Sequence, residues 1–342
     1  MSKPILLHLG DPIQWNHDLY KTLEQQFDIV INEEPDRASF IQALKDDKYG
    51  QFVAMYRPFW NTGAEMGNWD AELIGLLPAS TRIYASAGAG YDWVDTKSMA
   101  EKGIVYCNSA AACTEAVADA AIWLMLSTFR NFTWSSLAAR STDAAEFMLA
   151  HRNVAMKSHN PQGHLLGIIG LGNIGYRVAQ KAQLAFGMKI LYHDVLRKSS
   201  EMESSVDAVF YETLDEMLEA ADCIILATPF AGTKVLNDSS ISKMKHGSRL
   251  VNIARGKLVD EEALVSALEN GQLSSAGLDV HYDEPQVNPK LAKMQNVELL
   301  SHTAGASVES HVGFERLGME NILAFFERGK ALTPVNAHLF AK

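Results

Sequence analysis

Cysteine is scarce in this chain of 342 residues: Cys107, Cys113 and Cys223 are an odd number without metal-ligand spacing. That excludes a disulfide framework, gives no reason to expect a metal, and points to a reducing, cytoplasmic compartment. Dense clusters of Lys and Arg are absent as well. With 30 basic against 41 acidic residues the formal charge is -11, a field that repels phosphate backbones and anionic lipid, so neither nucleic acid nor membrane is an expected partner. The N-terminal "MSKPILLHLG" contains no long apolar signal segment. The most apolar helix-like stretch, "TEAVADAAIWLMLSTF", carries Glu115 and Asp119 and is shorter than the ~20 residues a bilayer requires. It reads as a buried helix. No repeat or low-complexity tract is visible.

What is present is the composition of a globular enzyme, 47% apolar and 21% charged, in a length that suits two domains of roughly 150 residues. Short apolar runs, "ILLHLG", "DIVIN", "FVAMY", "RIYASAG" and "IVYCN", alternate with amphipathic stretches. Strands separated by helices require parallel crossovers, hence an open, flavodoxin-like α/β sheet. Residues 113 to 130 form a long apolar helix leading away from it, and 131 to 163 reads as irregular and polar, ending at Pro161 and Gly163. A second alternation follows: "HLLGIIG", "KILYHDV", "AVFY", "DCIILAT", "SRLVNIA", "SSAGLDV" and "VELLSH". Thr213 and Glu216 match a capping box, and "ENG" at 269 to 271 stops a helix that starts near Asp260. Val308, Val312, Met319, Ile322, Leu323 and Phe326 give the last helix its period. The expected fold class is α/β, with two doubly wound parallel-sheet domains.

"GIIGLGNIG" ends one strand-like run and opens a helix-like one, with Gly170, Gly172 and Gly175 in G-x-G-x-x-G spacing. Such glycines permit a tight turn, close approach of a pyrophosphate and tight helix packing, while the helix N-terminus offers amide donors. The next strand, "KILYHD", ends in Asp194, 19 residues after Gly175 (194 − 175), where a carboxylate suits a ribose 2′-hydroxyl. The pattern identifies a Rossmann dinucleotide site. Asp194 favours NAD, and Arg197 and Lys198 stand close enough in sequence to leave NADP open. A second glycine stretch, "SAGAGYD", lacks the third glycine; its amides at Ala87, Gly88, Ala89 and Gly90 suit a carboxylate instead.

Three polar residues follow apolar strand-like runs: Arg255 after "LVNIA", Glu284 after "AGLDV" and His302 after "VELL". Strand C-terminal ends of a parallel sheet gather on the nucleotide-binding edge, which would bring the three beside a nicotinamide. A 2-oxo acid offers a carboxylate and a carbonyl, which a guanidinium can grip and polarise. Histidine can exchange the carbonyl proton near neutral pH, and a carboxylate beside it selects which nitrogen faces the substrate. Each also has a plainer reading: Arg255 as a surface charge at a helix start, Glu284 as a turn residue before Pro285, His302 as a satisfied core histidine.

The motifs "GLGNIG", "VNIARG", "GLDVHYDEP" and "SHTAG", with "SAGAGYDWVD" and "TEAVAD" upstream, resemble the D-isomer-specific 2-hydroxyacid dehydrogenase family over nearly the whole chain. Within it, "NPQGHLLG", "AGAGYDW" and "SAGLDVHYDEPQV" are most similar to the fungal D-mandelate dehydrogenase branch, which implies a bulky aromatic or branched 2-oxo acid such as benzoylformate. The resemblance implies that Arg255 orients substrate, that Glu284 pairs with His302, and that His302 donates the proton in reduction. Asn173 and Ile174 would meet the pyrophosphate, Asp194 the adenosine ribose and Asp279 the nicotinamide amide. Thr114, Thr228, Ile253, Ala254 and Gly305 match further cofactor contacts, alongside Arg255 and His302, and Ala87 to Gly90 would hold the substrate carboxylate. It also implies a substrate-binding domain of residues 1–112 and 307–342, interrupted by a dinucleotide-binding domain of 113–306, and a homodimer contacted through 131 to 163. His246 stands where the family commonly has proline. Tyr56, Phe59, Trp60 and Met148 are candidate pocket liners, with core packing as the other reading. Formate dehydrogenases pair the histidine with glutamine, against Glu284 here. A glyoxylate/hydroxypyruvate reductase and an NAD-sensing corepressor-like binding protein are the alternative functions.

Overall fold

A computed structural model describes residues 2–59 and 66–340. Two compact units are present, Met1–Cys113 with Ala306–Lys342, and Thr114–Gly305. The first contains β1 (Ile5–His8), β2 (Asp28–Ile31), β3 (Ala54–Arg57), β4 (Ile83–Ser86) and β5 (Val105–Cys107), hydrogen-bonded in the order β2-β1-β3-β4-β5. All pairings are parallel. Every residue of β3 and β4 is buried, which is why these strands read as continuous rather than alternating runs: helices cover both faces of a parallel sheet.

The long helix Val308–Arg328 packs on this sheet through Met319 and Ile322. A Cβ on Gly318 would lie 2.6 Å from the Tyr56 ring, so glycine lets the helix approach β3. Glu315 of that helix is fully buried and accepts from the Trp15 and Asn16 amides at 3.1 and 2.8 Å and from Asn16 Nδ2 at 3.0 Å, tying the segment after β1 to it.

The second unit contains β6 (Leu165–Ile169), β7 (Lys189–His193), β8 (Ala208–Phe210), β9 (Cys223–Leu226), β10 (Ser248–Asn252), β11 (Leu273–Leu278) and β12 (Val297–Leu299), ordered β12-β11-β10-β9-β6-β7-β8 and parallel throughout. The chain winds outward from β6 through β7 to β8, then returns to β9 on the other side. The order reverses between β6 and β9, and at such a point the crevice outside the strand C-termini takes ligands. The apolar helix Ala110–Arg130 is 21 residues long. By length and composition it could cross a membrane, but Leu124, Met125 and Phe129 are fully buried. Gly277 of β11 lies so close that a Cβ would sit 2.9 Å from the Leu124 Cβ.

Two sequence expectations fail here. Residues 131 to 163 are not irregular: Phe132–Arg140 and Ala144–Lys157 are helices packed on one another through Trp134, Ala138 and Ala150, and Asp143 caps the second by accepting from the Ala145 amide at 2.7 Å. So few of their residues are buried that no apolar stripe marks the helical period. Thr213 does cap Leu214–Ala220, but its hydroxyl donates to the Glu216 carboxylate at 2.7 Å. The reciprocal capping box belongs to Asn237 and Ser240.

Candidate active site

The loop after β6 is shaped by its glycines. Gly170 has φ of 95°, and a Cβ there would stand 2.8 Å from the Ala227 oxygen at the end of β9. On Gly175 a Cβ would meet the Gly170 oxygen at 2.1 Å, so only glycine lets the helix Asn173–Phe186 begin this close to the loop. Gly172 differs: a Cβ would have nothing within 4 Å, and no side chain caps the helix it precedes. Exposed amides at a helix start, beside space that only a glycine leaves open, fit a pyrophosphate. Asn173 is exposed and Ile174 half-buried in the first turn.

Asp194, just past β7, accepts the Leu171 amide at 2.9 Å through Oδ2 and thereby ties its turn to the glycine loop. The same oxygen pairs with Lys198 Nζ at 2.9 Å. Val195 and Leu196 are apolar yet strongly exposed at the tip of this turn, a pair that sequence reasoning passed over. Thr228 lies just past β9, and Thr114 lies in the helix Ala110–Arg130.

Arg255 lies beyond β10, half-buried, its Nη1 donating to the Ala254 oxygen at 2.8 Å. Its backbone is held by Asn252, a buried side chain the sequence did not single out. Asn252 Oδ1 accepts the Ala254 amide at 3.0 Å, and its Nδ2 donates to the Arg255 oxygen at 2.8 Å. Ile253 and Ala254 form the turn between, the former buried. Gly256 then packs against the segment after β11. A Cβ would fall 1.9 Å from the His281 oxygen, so glycine is what allows the Arg255 turn and the Asp279–Glu284 segment to lie together.

Glu284 of that segment meets His302, which lies beyond β12, Oε2 to Nδ1 at 2.7 Å, with side chains 34% and 36% exposed. The core-histidine reading of His302 is thereby set aside. Glu284 Oε1 accepts the His281 amide at 2.9 Å, and His281 Nε2 bonds the Leu300 oxygen at 2.7 Å. Burial pushes the Glu284 carboxyl upward, but the bonds from His302 and the His281 amide outweigh it and hold it below the usual carboxylate range. An ionised Glu284 accepts only, so Nδ1 carries the hydrogen and Nε2 lies on the far side of the ring. His302 adopts φ of 56°, and its amide donates to the Asp279 oxygen at 2.8 Å.

Asp279 is buried, and its Oδ1 accepts the amides of Thr303 and Ala304 at 2.8 and 3.0 Å. It therefore grips the turn that carries His302 and leads to Gly305. Burial raises its carboxyl above the usual value, only partly offset by His302 and by these two amides.

On the first unit, the Ala87–Gly90 loop follows β4 with its carbonyls turned into the scaffold. The Ser109 amide donates to the Gly88 oxygen at 2.8 Å, Asn108 Nδ2 to the Ala89 oxygen at 2.8 Å, and Trp93 Nε1 to the Gly90 oxygen at 3.3 Å. Gly88 has φ of 90°. The Ala87 amide, expected to share in holding the carboxylate, is instead committed to the Arg57 oxygen at 2.9 Å, which continues the strand pairing. Among the described residues, the amides of Gly88, Ala89 and Gly90 have no acceptor, the arrangement of an anion-binding nest. Asn108 and Ser109 could have been found by applying the strand-end rule to "YCNSA".

The candidate pocket liners divide. Tyr56 is fully buried with its hydroxyl donating to the Glu315 oxygen at 2.9 Å, so it is a core residue. Phe59 is buried against Trp15 and His311. Met148 is exposed on the helix Ala144–Lys157, and Trp60 lies outside the described residues. His246 is exposed.

Residues 122–304 match the family model described as "D-isomer specific 2-hydroxyacid dehydrogenase, NAD binding domain". The chain is 37% identical over 302 residues to 4-methyl-2-oxopentanoate reductase A of Aspergillus oryzae, covering 87% of this chain and 88% of that one. Apo D-mandelate dehydrogenase of Rhodotorula graminis superposes with a TM-score of 0.94 at 38% identity, covering 98% of each chain. A glyoxylate reductase from Paecilomyes thermophila superposes with a TM-score of 0.89 at 34% identity, over 98% of this chain and 99% of that one.

Proposed function

This chain belongs to the D-isomer-specific 2-hydroxyacid dehydrogenase family, an oxidoreductase family with an NAD-binding domain, and from that premise we propose that it reduces bulky 2-oxo acids, aromatic or branched, with NADH. The observation that carries the reading is the 2.7 Å bond between His302 and Glu284 on the segments after β11 and β12, beside the Arg255 turn. When bound, the nicotinamide supplies the hydride. His302 gives the carbonyl oxygen its proton from Nε2 while Glu284 holds Nδ1 and orients the ring. Arg255 binds the substrate through a planar fork that suits a carboxylate and polarises the carbonyl. The amides of Gly88, Ala89 and Gly90 take the carboxylate, as their lack of acceptors among the described residues supports. Gly170, Gly172, Asn173, Ile174 and Gly175 take the pyrophosphate and Asp194 the adenosine ribose. Thr114, Thr228, Ile253, Ala254, Asp279 and Gly305 are the remaining cofactor contacts.

Preference for bulky acids is supported by similarity to the 4-methyl-2-oxopentanoate reductase and the D-mandelate dehydrogenase. The likeness to a glyoxylate reductase sets the alternative. Three free, buried cysteines suit a cytoplasmic setting. Exposed Leu137, Phe147, Leu149 and Met156 on the helix pair Phe132–Arg140 and Ala144–Lys157 suit burial in a homodimer. The test is initial-rate reduction of benzoylformate, 4-methyl-2-oxopentanoate, glyoxylate and hydroxypyruvate with NADH and NADPH. The expected result is the highest kcat/KM on one of the first two with NADH. Fastest turnover of glyoxylate or hydroxypyruvate would replace the substrate assignment.

A further inference from the structure

The turn after β7 holds two cations, and each is occupied by a carboxylate of the chain itself. Lys198 Nζ is 2.9 Å from Asp194 Oδ2. Arg197 lays its fork on Glu203, Nε to Oε1 and Nη2 to Oε2, both 2.9 Å, with its Cζ 5.5 Å from the Phe210 ring centre. Glu203 is largely buried in the helix Ser200–Ser205 and is held from a second side, because Tyr192 donates its hydroxyl to Oε1 at 2.6 Å. That hydroxyl in turn accepts the Lys198 amide at 2.9 Å. The Arg197 guanidinium is therefore held by Glu203 and set against the Phe210 ring, groups that do not belong to any ligand, while its side chain stays 65% exposed.

A dinucleotide phosphorylated at the adenosine 2′-position brings about two further negative charges to this turn. Lys198 already serves Asp194, so Arg197 is the cation that a 2′-phosphate would need, and a planar fork is the best partner for it. We propose that Glu203 determines cofactor selection: by holding Arg197 in a bidentate pair, it withholds the guanidinium from a 2′-phosphate and keeps the site selective for the unphosphorylated dinucleotide. Asp194 alone is a weaker discriminator than its position in the sequence implies, because its charge is already paired. The inference rests on the reading of Asp194 as the ribose-binding residue.

The test uses the full-length protein as Glu203→Gln, Glu203→Ala, Arg197→Met and the Glu203→Gln/Arg197→Met double variant. NADH and NADPH binding are read by nicotinamide fluorescence, alongside steady-state rates. Glutamine cannot offer the guanidinium two anionic oxygens. Freeing the fork should tighten NADPH binding about 10- to 100-fold, the worth of a charge-assisted bond pair. The gain should appear in KM rather than kcat and be lost in the double variant. Arg197→Met alone should leave NADPH binding weak. An unmoved NADPH-to-NADH affinity ratio in both folded Glu203 variants would overturn the proposal. So would a gain that persists in the double variant, since it would then come only from removing a negative charge. Fluorescence titration is independent of turnover, so a protein inactive on every 2-oxo acid would count against the proposed reaction and leave the cofactor result readable.

Discussion

Replacing Glu284 by glutamine tests the acid–base pair with almost no change of shape. The carboxylate accepts twice, from His302 Nδ1 at 2.7 Å and from the His281 amide at 2.9 Å. A glutamine has one acceptor and one donor end. If its oxygen faces the His281 amide, its NH2 meets the hydrogen on Nδ1. If it turns over, the NH2 meets the amide of His281. Either way a donor–donor contact arises for the Nδ1–H tautomer, and the first orientation is relieved only if His302 moves its hydrogen to Nε2, the tautomer that cannot donate from Nδ1 to a carboxylate. A charge-assisted bond contributes about 1.5–3 kcal/mol, and because both side chains are about a third exposed, solvent screening brings the expected loss to ~1 kcal/mol. The consequence for rate is larger, since a histidine released from its partner loses ring orientation and tautomer. General acid catalysis supplies about 10²–10⁴-fold, so turnover in the reductive direction should fall by roughly 10²-fold.

The pH dependence has a definite sign. The folded Glu284 carboxyl is held below the usual range, so the unfolded chain binds the proton more readily and stability rises with pH between the two values. The parent's advantage over Glu284→Gln should be complete above the unfolded value of about 4.3 and vanish as pH falls through the folded value. Urea unfolding of both proteins from pH 3 to pH 7, with kcat at neutral pH, is the assay. A stability difference that stays constant down to pH 3, or undiminished turnover, would refute the pairing argument.

His302→Gln should lower turnover by about 10²–10⁴-fold while NADH still binds, measured by single-turnover kinetics and fluorescence titration; parental turnover would dismiss the acid role. Arg255→Lys should raise the 2-oxo acid KM and lower kcat together, since a point charge cannot reproduce the fork, and a changed KM with unchanged kcat would restrict Arg255 to binding. Gly256→Ala should destabilise by about 3 kcal/mol, because the 1.9 Å clash is with the His281 backbone and no rotamer relieves it; an unchanged unfolding midpoint would contradict that packing. Asp279→Asn keeps an oxygen for the Thr303 and Ala304 amides but removes a buried charge. The Asp279 carboxyl is raised by burial, so this residue makes parental stability decline as pH rises from about 3.9 through the folded value. Parent and Asn variant should therefore diverge over that window, with the variant gaining; parallel unfolding profiles would oppose this.

Sequence patterns alone were sufficient for the two parallel sheets, because a strand covered on both faces must be apolar throughout and a parallel crossover requires a helix between strands. They were also sufficient to single out His302, Glu284 and Arg255, since all three follow apolar runs and strand C-termini share one edge. Local signal failed where packing is the cause. The helices Phe132–Arg140 and Ala144–Lys157 bury few residues and show no stripe, and Tyr56 looked like a pocket liner until Glu315, 259 residues away, accepted its hydroxyl. Asn252 and Gly256 set the course of the Arg255 turn through atoms of their neighbours, a relation that residue type does not encode. The sequence placed Arg197 and Lys198 near Asp194, but only tertiary structure decided which carboxylate each would meet. Hydrogen-bond partners are chosen by distance and direction within about 3 Å, and spacing along the chain does not determine either.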